Sequence, residues 1–167
     1  MTGESSGRVW LFSDNIDTDV LAPGQYMRGS IEELAAHCLE AVDPSFAGNV
    51  RPGDIVIAGR NFGVGSSREQ AAQALKVLGV RAVVAQSFAG IFYRNAINLG
   101  LPVFTGDAAG VAKQGETARI DINTGVLMLA DRREVRCDPL PEFLLAMIDD
   151  GGLVPHLSKR FERERNT

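Results

Sequence analysis

The sequence predicts an α/β fold, and two observations carry that expectation. Short apolar runs bounded by turn residues alternate with stretches of helical periodicity: Asp54-Ile55-Val56-Ile57-Ala58, opened by Pro52-Gly53, precedes Ala71, Ala74, Leu75 and Leu78 at helical spacing, and Arg81-Ala82-Val83-Val84-Ala85 follows. Strand, helix, strand in that order is the parallel crossover unit of α/β proteins. Beyond residue 115 the pattern changes to strict alternation around Asn123-Thr124-Gly125, which reads as a β-hairpin added to the parallel part.

The elements follow in chain order. Residues 1–7 are small and polar and are expected to form a disordered leader. Val9-Trp10-Leu11-Phe12 reads as the first strand and runs into Ser13-Asp14-Asn15-Ile16-Asp17-Thr18-Asp19, a loop with three carboxylates of the kind that often forms a solvated turn. A calcium loop counted from Asp14 would need glycine and glutamate where Asp19 and Gln25 stand. Ser30-Ile31-Glu32-Glu33 is a capping box, so a helix is expected through about Leu39, before Asp43-Pro44. After the central crossover unit, Gln86-Ser87-Phe88 leads into a helix over residues 89–99, closed by Gly100, and Leu101-Pro102-Val103-Phe104 makes a third short strand. In the hairpin, Ile120 and Ile122 precede the turn and Val126 and Met128 follow it. Pro141 opens a last helix with Phe143, Leu144, Met147 and Ile148 on its apolar face, and Gly151-Gly152 stops it. Residues 158–167 are charged and read as a frayed tail, which leaves one domain over residues 8–157.

Composition bounds the function. A chain of 167 residues with 45% hydrophobic content holds about one domain with an ample core. A net charge of -4 without a basic block argues against nucleic acid as the main partner. No apolar run approaches membrane-spanning length, so the cytoplasm is the expected compartment. Cys38 and Cys137 form no Cys-x-x-Cys pair, and His37 and His156 have no metal-ligand spacing, so no metal is expected on this chain.

The chemically suggestive stretch is Gly59-Arg60-Asn61-Phe62-Gly63-Val64-Gly65-Ser66-Ser67-Arg68-Glu69-Gln70, at a strand-to-helix junction. It delivers Ser66, Ser67 and Arg68 to the first turn of a helix, where unpaired N–H groups and the positive end of the helix dipole favour an anion. A serine acting as a base needs such positive surroundings for its alkoxide; the same residues would also serve as a helix cap in a tight glycine turn. A P-loop would need Gly-Lys-Ser/Thr, a dinucleotide fingerprint a small residue at Arg68, and a nucleophile elbow a glycine at Glu69. Arg28, between Tyr26-Met27 and Gly29, either reaches an anionic ligand or is an ordinary surface arginine.

Three stretches together, Asp14-Asn15-Ile16-Asp17-Thr18-Asp19, Asn61-Phe62-Gly63 with Gly65-Ser66-Ser67-Arg68-Glu69, and Ser87-Phe88-Ala89-Gly90-Ile91-Phe92-Tyr93-Arg94-Asn95, resemble the small subunit of 3-isopropylmalate dehydratase and, more distantly, the swivel domain of aconitases. The resemblance implies a swivelling β/β/α barrel-like domain of the aconitase C-terminal type. It also implies a large partner subunit carrying a 4Fe-4S cluster that acts as Lewis acid, with no cofactor on this chain. By the same likeness Ser66 is the base, Ser67 and Arg68 hold the substrate carboxylate, Asp19 matches an acidic active-site residue, and Arg28 lies where a substrate-binding arginine is placed. Tyr26, Met27 and Arg28 fall in a loop that reads the substrate's side chain. The arginine suits a distal carboxylate, Tyr26 and Met27 an isopropyl group. Val64 and Gln70 depart from the cysteine and histidine common in the family loop; neither replaces a proton-transfer group. The implied activity is isomerisation of a 2-hydroxy diacid by dehydration and rehydration, most simply 3-isopropylmalate in leucine biosynthesis. Homoaconitase or a dimethylmalate-type dehydratase is the alternative within the class, and a non-catalytic anion-binding module the alternative outside it.

Overall fold

The computed structural model describes residues 6–166. Its spine is a curled mixed sheet of seven strands in the order β4-β3-β2-β1-β5-β6-β7. The first strand, β1 (Gly7–Leu11), pairs with Ala118 and Thr117 through Gly7 and Arg8, so Gly7 already belongs to the sheet, while residues 1–5 of the expected leader lie outside the described residues. The acidic loop that follows contains a short helix, α1 (Thr18–Leu21), capped by Asp17, whose Oδ1 accepts from Val20 N at 3.0 Å. It is therefore more than a solvated turn. α2 (Ile31–Ala35) begins as the capping box predicts, with Glu33 N donating to Ser30 Oγ at 3.1 Å. It stops at Ala35, short of Leu39, because Leu39 takes a left-handed φ of +62° and donates its N–H to Val20 O instead of to the preceding turn.

α3 (Phe46–Asn49) leads to β2 (Ile55–Ala58), and the crossover unit is completed by α4 (Glu69–Val77) and β3 (Ala82–Ala85). α5 (Gly90–Asn98) and β4 (Val103–Thr105) repeat the unit. β1 to β4 are mutually parallel, with Val9 opposite Ile55, Ile55 opposite Ala82 and Val83 opposite Val103. β2 and β3 are buried along their whole length, as strands covered on both faces must be. The predicted hairpin is β5 (Thr117–Asp121) and β6 (Val126–Leu129), and β7 (Glu134–Arg136) extends it by pairing Val135 with Leu127. In β5, Ala118 and Ile120 are buried while their neighbours face out, the alternation read in the sequence.

α6 (Glu142–Asp149) starts after Pro141 and ends before Gly151-Gly152, both at positive φ. Residue 167 lies outside the described residues, and residues 158–165 of the segment expected to fray belong to a regular helix, α7 (Leu153–Arg165). Asp150 anchors it, accepting from His156 Nδ1 at 2.8 Å and Lys159 Nζ at 2.9 Å, and Arg160 pairs with Glu164 one turn on. Beneath the first strand, buried Asp54 accepts from Arg8 N, Arg51 N and Trp10 Nε1, all at 2.9 Å, which ties the start of the sheet to the turn before β2. Among the described residues no helix is long and apolar enough to cross a membrane.

Candidate active site

The loops leaving β1, β2 and β3 emerge at the carboxyl ends of parallel strands, where α/β sheets place their ligands. Those loops are the three motif stretches of the sequence, and the backbone laces them together. Asn15 N donates to Arg60 O at 2.8 Å, Gly63 N to Ile16 O at 2.7 Å and Thr18 N to Val64 O at 2.8 Å. On the other side, Phe62 N donates to Ser87 O at 3.0 Å and Ala89 N to Phe62 O at 2.9 Å. Side chains add to this: Asp14 Oδ1 accepts from Arg60 N, Ser87 Oγ accepts from Asn61 N, and Asn61 Nδ2 donates to Asn15 Oδ1 at 3.0 Å. Asn15 and Asn61 both sit at φ +58°, a conformation asparagine tolerates better than most residues. Buried Phe62 pins the middle of the loop against the edges of Phe88 and Phe92. Gly63 has φ +82°, and a Cβ there would lie 2.2 Å from Phe92 Cγ, so only glycine fits.

This framework presents Ser66 and Ser67 to solvent. They do not enter the helix as expected: α4 begins at Glu69 with Arg68 in extended conformation at its N-cap, because Gly65 at φ +112° turns the chain and Arg68 N bonds Ser66 O at 2.8 Å. Neither hydroxyl caps the helix or takes a hydrogen bond from any described residue, so the capping reading loses its support. Both stand at the mouth of α4, next to its free N–H groups.

Arg68 crosses to the first motif loop. Its Nη1 donates to Asp19 Oδ1 at 2.6 Å and to Ala22 O at 2.9 Å, and the guanidinium holds the Asp19 carboxyl below the usual carboxylate range. Gly24 closes against this pair: a Cβ on it would be 3.6 Å from Asp19 Oδ1 and 3.9 Å from Arg68 Nη2. The loop over residues 24–28 therefore starts beside Arg68, as a 3-10 turn over Gly24–Tyr26 followed by half-buried Met27 and exposed Arg28. Arg28 forms no ion pair among the described residues, and no hydrogen bond joins it to Ser66, Ser67 or Arg68. The fold thus joins Arg68 to Asp19, with Ser66 and Ser67 exposed on the same loop as Arg68 and the turn that carries Tyr26 and Met27 starting at Gly24 beside the pair, while Arg28 makes no ion pair among the described residues.

Sequence reasoning missed Asp14, Asp17, Asn15, Asn61 and Ser87 as builders of the site. Their signal was the clustering of short side chains able to bond backbone in loops that follow strands. The donor set for a metal is poor. Among the described residues no three His, Cys, Asp or Glu side chains converge, and both cysteines are buried, with burial pushing the Cys137 thiol up to about 11. This chain's own residues do not fit an iron-sulfur cluster.

The aconitase C-terminal domain family profile matches residues 14–105, which hold all three motif loops. The methanogen homoaconitase small subunit of Methanothermobacter thermautotrophicus is 51% identical over 164 residues, 97% of this chain and 95% of that protein. The 3-isopropylmalate dehydratase small subunit 1 of Thermotoga maritima is 51% identical over 156 residues, 92% of this chain and 94% of that protein. A crystal structure of 3-isopropylmalate dehydratase from Methanocaldococcus jannaschii superposes at a TM-score of 0.91 with 39% identity, covering 96% of this chain and 97% of that one. Aconitase X of Thermococcus kodakaraensis, at 20% identity and a TM-score of 0.51, shares the fold alone. With its motif loops inside the matched segment and its fold shared over 96% of its length, the chain belongs to the aconitase C-terminal domain family, among the dehydratase small subunits.

Proposed function

We propose that this chain is the small subunit of a hydro-lyase that isomerises a 2-hydroxy diacid, with 3-isopropylmalate as the substrate. The observation that carries the reading is the exposed pair Ser66 and Ser67 at the mouth of α4, beside an arginine oriented by Asp19. Ser66 Oγ, as alkoxide, takes the carbon-bound proton; the C–H electron pair becomes the double bond, the hydroxyl on the neighbouring carbon leaves as hydroxide with its bonding pair, and an enoic acid forms. Hydroxide then adds at the carbon that lost the proton, and the proton returns from Ser66 to the other carbon, which leaves Ser66 as the alkoxide again. Ser67 and the Arg68 fork hold a substrate carboxylate, and the dipole of α4 favours the alkoxide. A large subunit carries the 4Fe-4S cluster, which supplies Lewis-acid polarisation of the leaving hydroxyl. The site on this chain is open and becomes enclosed only against that partner, in the cytoplasm.

A second reading, homoaconitase, is favoured by one observation: exposed Arg28 has no partner among the described residues and could receive a distal carboxylate. The test is reconstitution with a large subunit encoded nearby, followed by enoate absorbance with several 3-substituted malates. Activity in the mixture and in neither chain alone is expected, greatest on the isopropyl acid. Failure to associate with any such partner would overturn the reading in favour of an anion-binding module.

A further inference from the structure

Tyr26 heads the loop proposed to select the substrate, and its ring is already engaged. It lies face to face with the His37 imidazole, centroids 3.6 Å apart and planes within 3° of parallel. His37 Nδ1 stands 2.7 Å from Glu40 Oε2, so that nitrogen carries the hydrogen, the carboxylate accepts it, and the imidazole cannot swing freely about its bond to the backbone. The turn beneath it is rigid. Cys38 and Leu39 are fully buried, Leu39 N donates to Val20 O at 3.0 Å, and Leu39 keeps a left-handed φ that a leucine holds only where its surroundings over-determine it.

The loop above has less to hold it. Tyr26 N bonds Pro23 O at 3.0 Å, Met27 N bonds Gly24 O at 3.3 Å and Gly29 N bonds Tyr26 O at 3.2 Å, the last two at the long end of the range. A stiff, carboxylate-braced ring thus meets a soft turn, and it meets it at the first aromatic residue of the selecting segment.

We infer that His37 is a positioning residue for substrate selection: its ring sets the orientation of Tyr26, and through Tyr26 the direction in which Met27 and Arg28 meet the ligand. The inference rests on the proposed role of residues 26–28. A packing role alone is a poor explanation, since the His37 and Glu40 side chains keep 31% and 37% of their exposure. For the same reason substitutions at His37 should leave the chain folded.

The experiment uses the assembled two-subunit enzyme and steady-state kinetics on two malates, one with a 3-isopropyl group and one with a 3-carboxyalkyl group. His37→Ala is expected to raise KM for the preferred acid about fivefold, the loss of one aromatic pair, with kcat within about twofold, and to change the kcat/KM ratio between the two acids. His37→Phe, which keeps a flat stacking face, should restore most of the KM. In a Tyr26→Ala background His37→Ala should add little, as expected of residues acting through one contact. If Tyr26→Ala and Arg28→Ala shift the ratio while His37→Ala does not, the role of His37 is overturned and the loop reading stands. If none of the three shifts it, the loop reading falls and takes the inference with it. A fall in kcat and Tm for His37→Ala without a change in ratio would mark a purely structural residue and would also overturn it.

Discussion

Replacing Ser66 by alanine separates catalysis from folding more sharply than any other change in this chain. The side chain is exposed and bonds no described residue, and the backbone hydrogen bond from Arg68 N to Ser66 O at 2.8 Å survives the change. Stability should therefore change by less than about 0.5 kcal/mol, which for a chain of this size is a Tm shift of about 2 °C or less. Activity should respond on another scale. Loss of a general base costs about 10²- to 10⁴-fold in rate, or about 3 to 5 kcal/mol of transition-state stabilisation. The assay is enoate formation by the reconstituted pair, with thermal unfolding of the free chain and titration against the large subunit as controls; Ser67→Ala serves as the neighbouring comparison. Turnover within tenfold of wild type would refute the role of Ser66. A Tm loss above about 5 °C would refute the claim that the hydroxyl is free of structural duty.

Three further outcomes follow from the geometry. Gly63→Ala combines a strained φ of +82° with a Cβ 2.2 Å from Phe92 Cγ, so it should cost about 1 kcal/mol for conformation and about 1 to 3 for overpacking, lowering Tm by roughly 5 to 15 °C; an unchanged melting curve would contradict the close packing of loop and helix. Asp54→Ala orphans Arg8 N, Arg51 N and Trp10 Nε1 and should destabilise by on the order of 4 kcal/mol in urea titration, with Asp54→Asn retaining part of the loss. The Asp19 carboxyl should titrate below its ordinary 3.8, and the stabilisation it contributes is complete above that value and lost as pH falls through the lower folded one; carboxyl NMR should show the midpoint move back up in Arg68→Gln, and identical midpoints in the two proteins would dissolve the pair.

The parallel half of the fold was legible because its signals are local. Ile55-Val56-Ile57-Ala58 and Ala82-Val83-Val84-Ala85 are continuous apolar runs flanked by turn residues, and the helix between them repeats at 3.6. β7 escaped notice because Glu134-Val135-Arg136 offers one inward residue and becomes a strand only where β6 presents an edge. α7 escaped because its charges suggested fraying, whereas Asp150, outside the helix, ties down His156 and Lys159. In the site, residue types and the order of motifs could be read in the chain, but the lacing could not: it runs through amide and carbonyl groups that every residue carries. The partnership of Asp19 with Arg68, 49 positions apart, likewise has no local signature.

The cross-bonding of the three motif loops has a consequence for how such a chain can vary. Each loop supplies main-chain partners to another, so inserting or deleting one residue in any of them would put its neighbours out of step and swing Ser66 away, even with every reactive side chain kept. Loop length at this end of the sheet is thus as tightly specified as loop chemistry. The turn at Asn123-Thr124-Gly125 takes no part in this lacing among the described bonds: Asn123 N and Thr124 N bond Asp121, and Gly125 O accepts from Cys137 N, so the exposed positions Asn123 and Thr124 are where added residues can be absorbed with the cross-bonded loops intact.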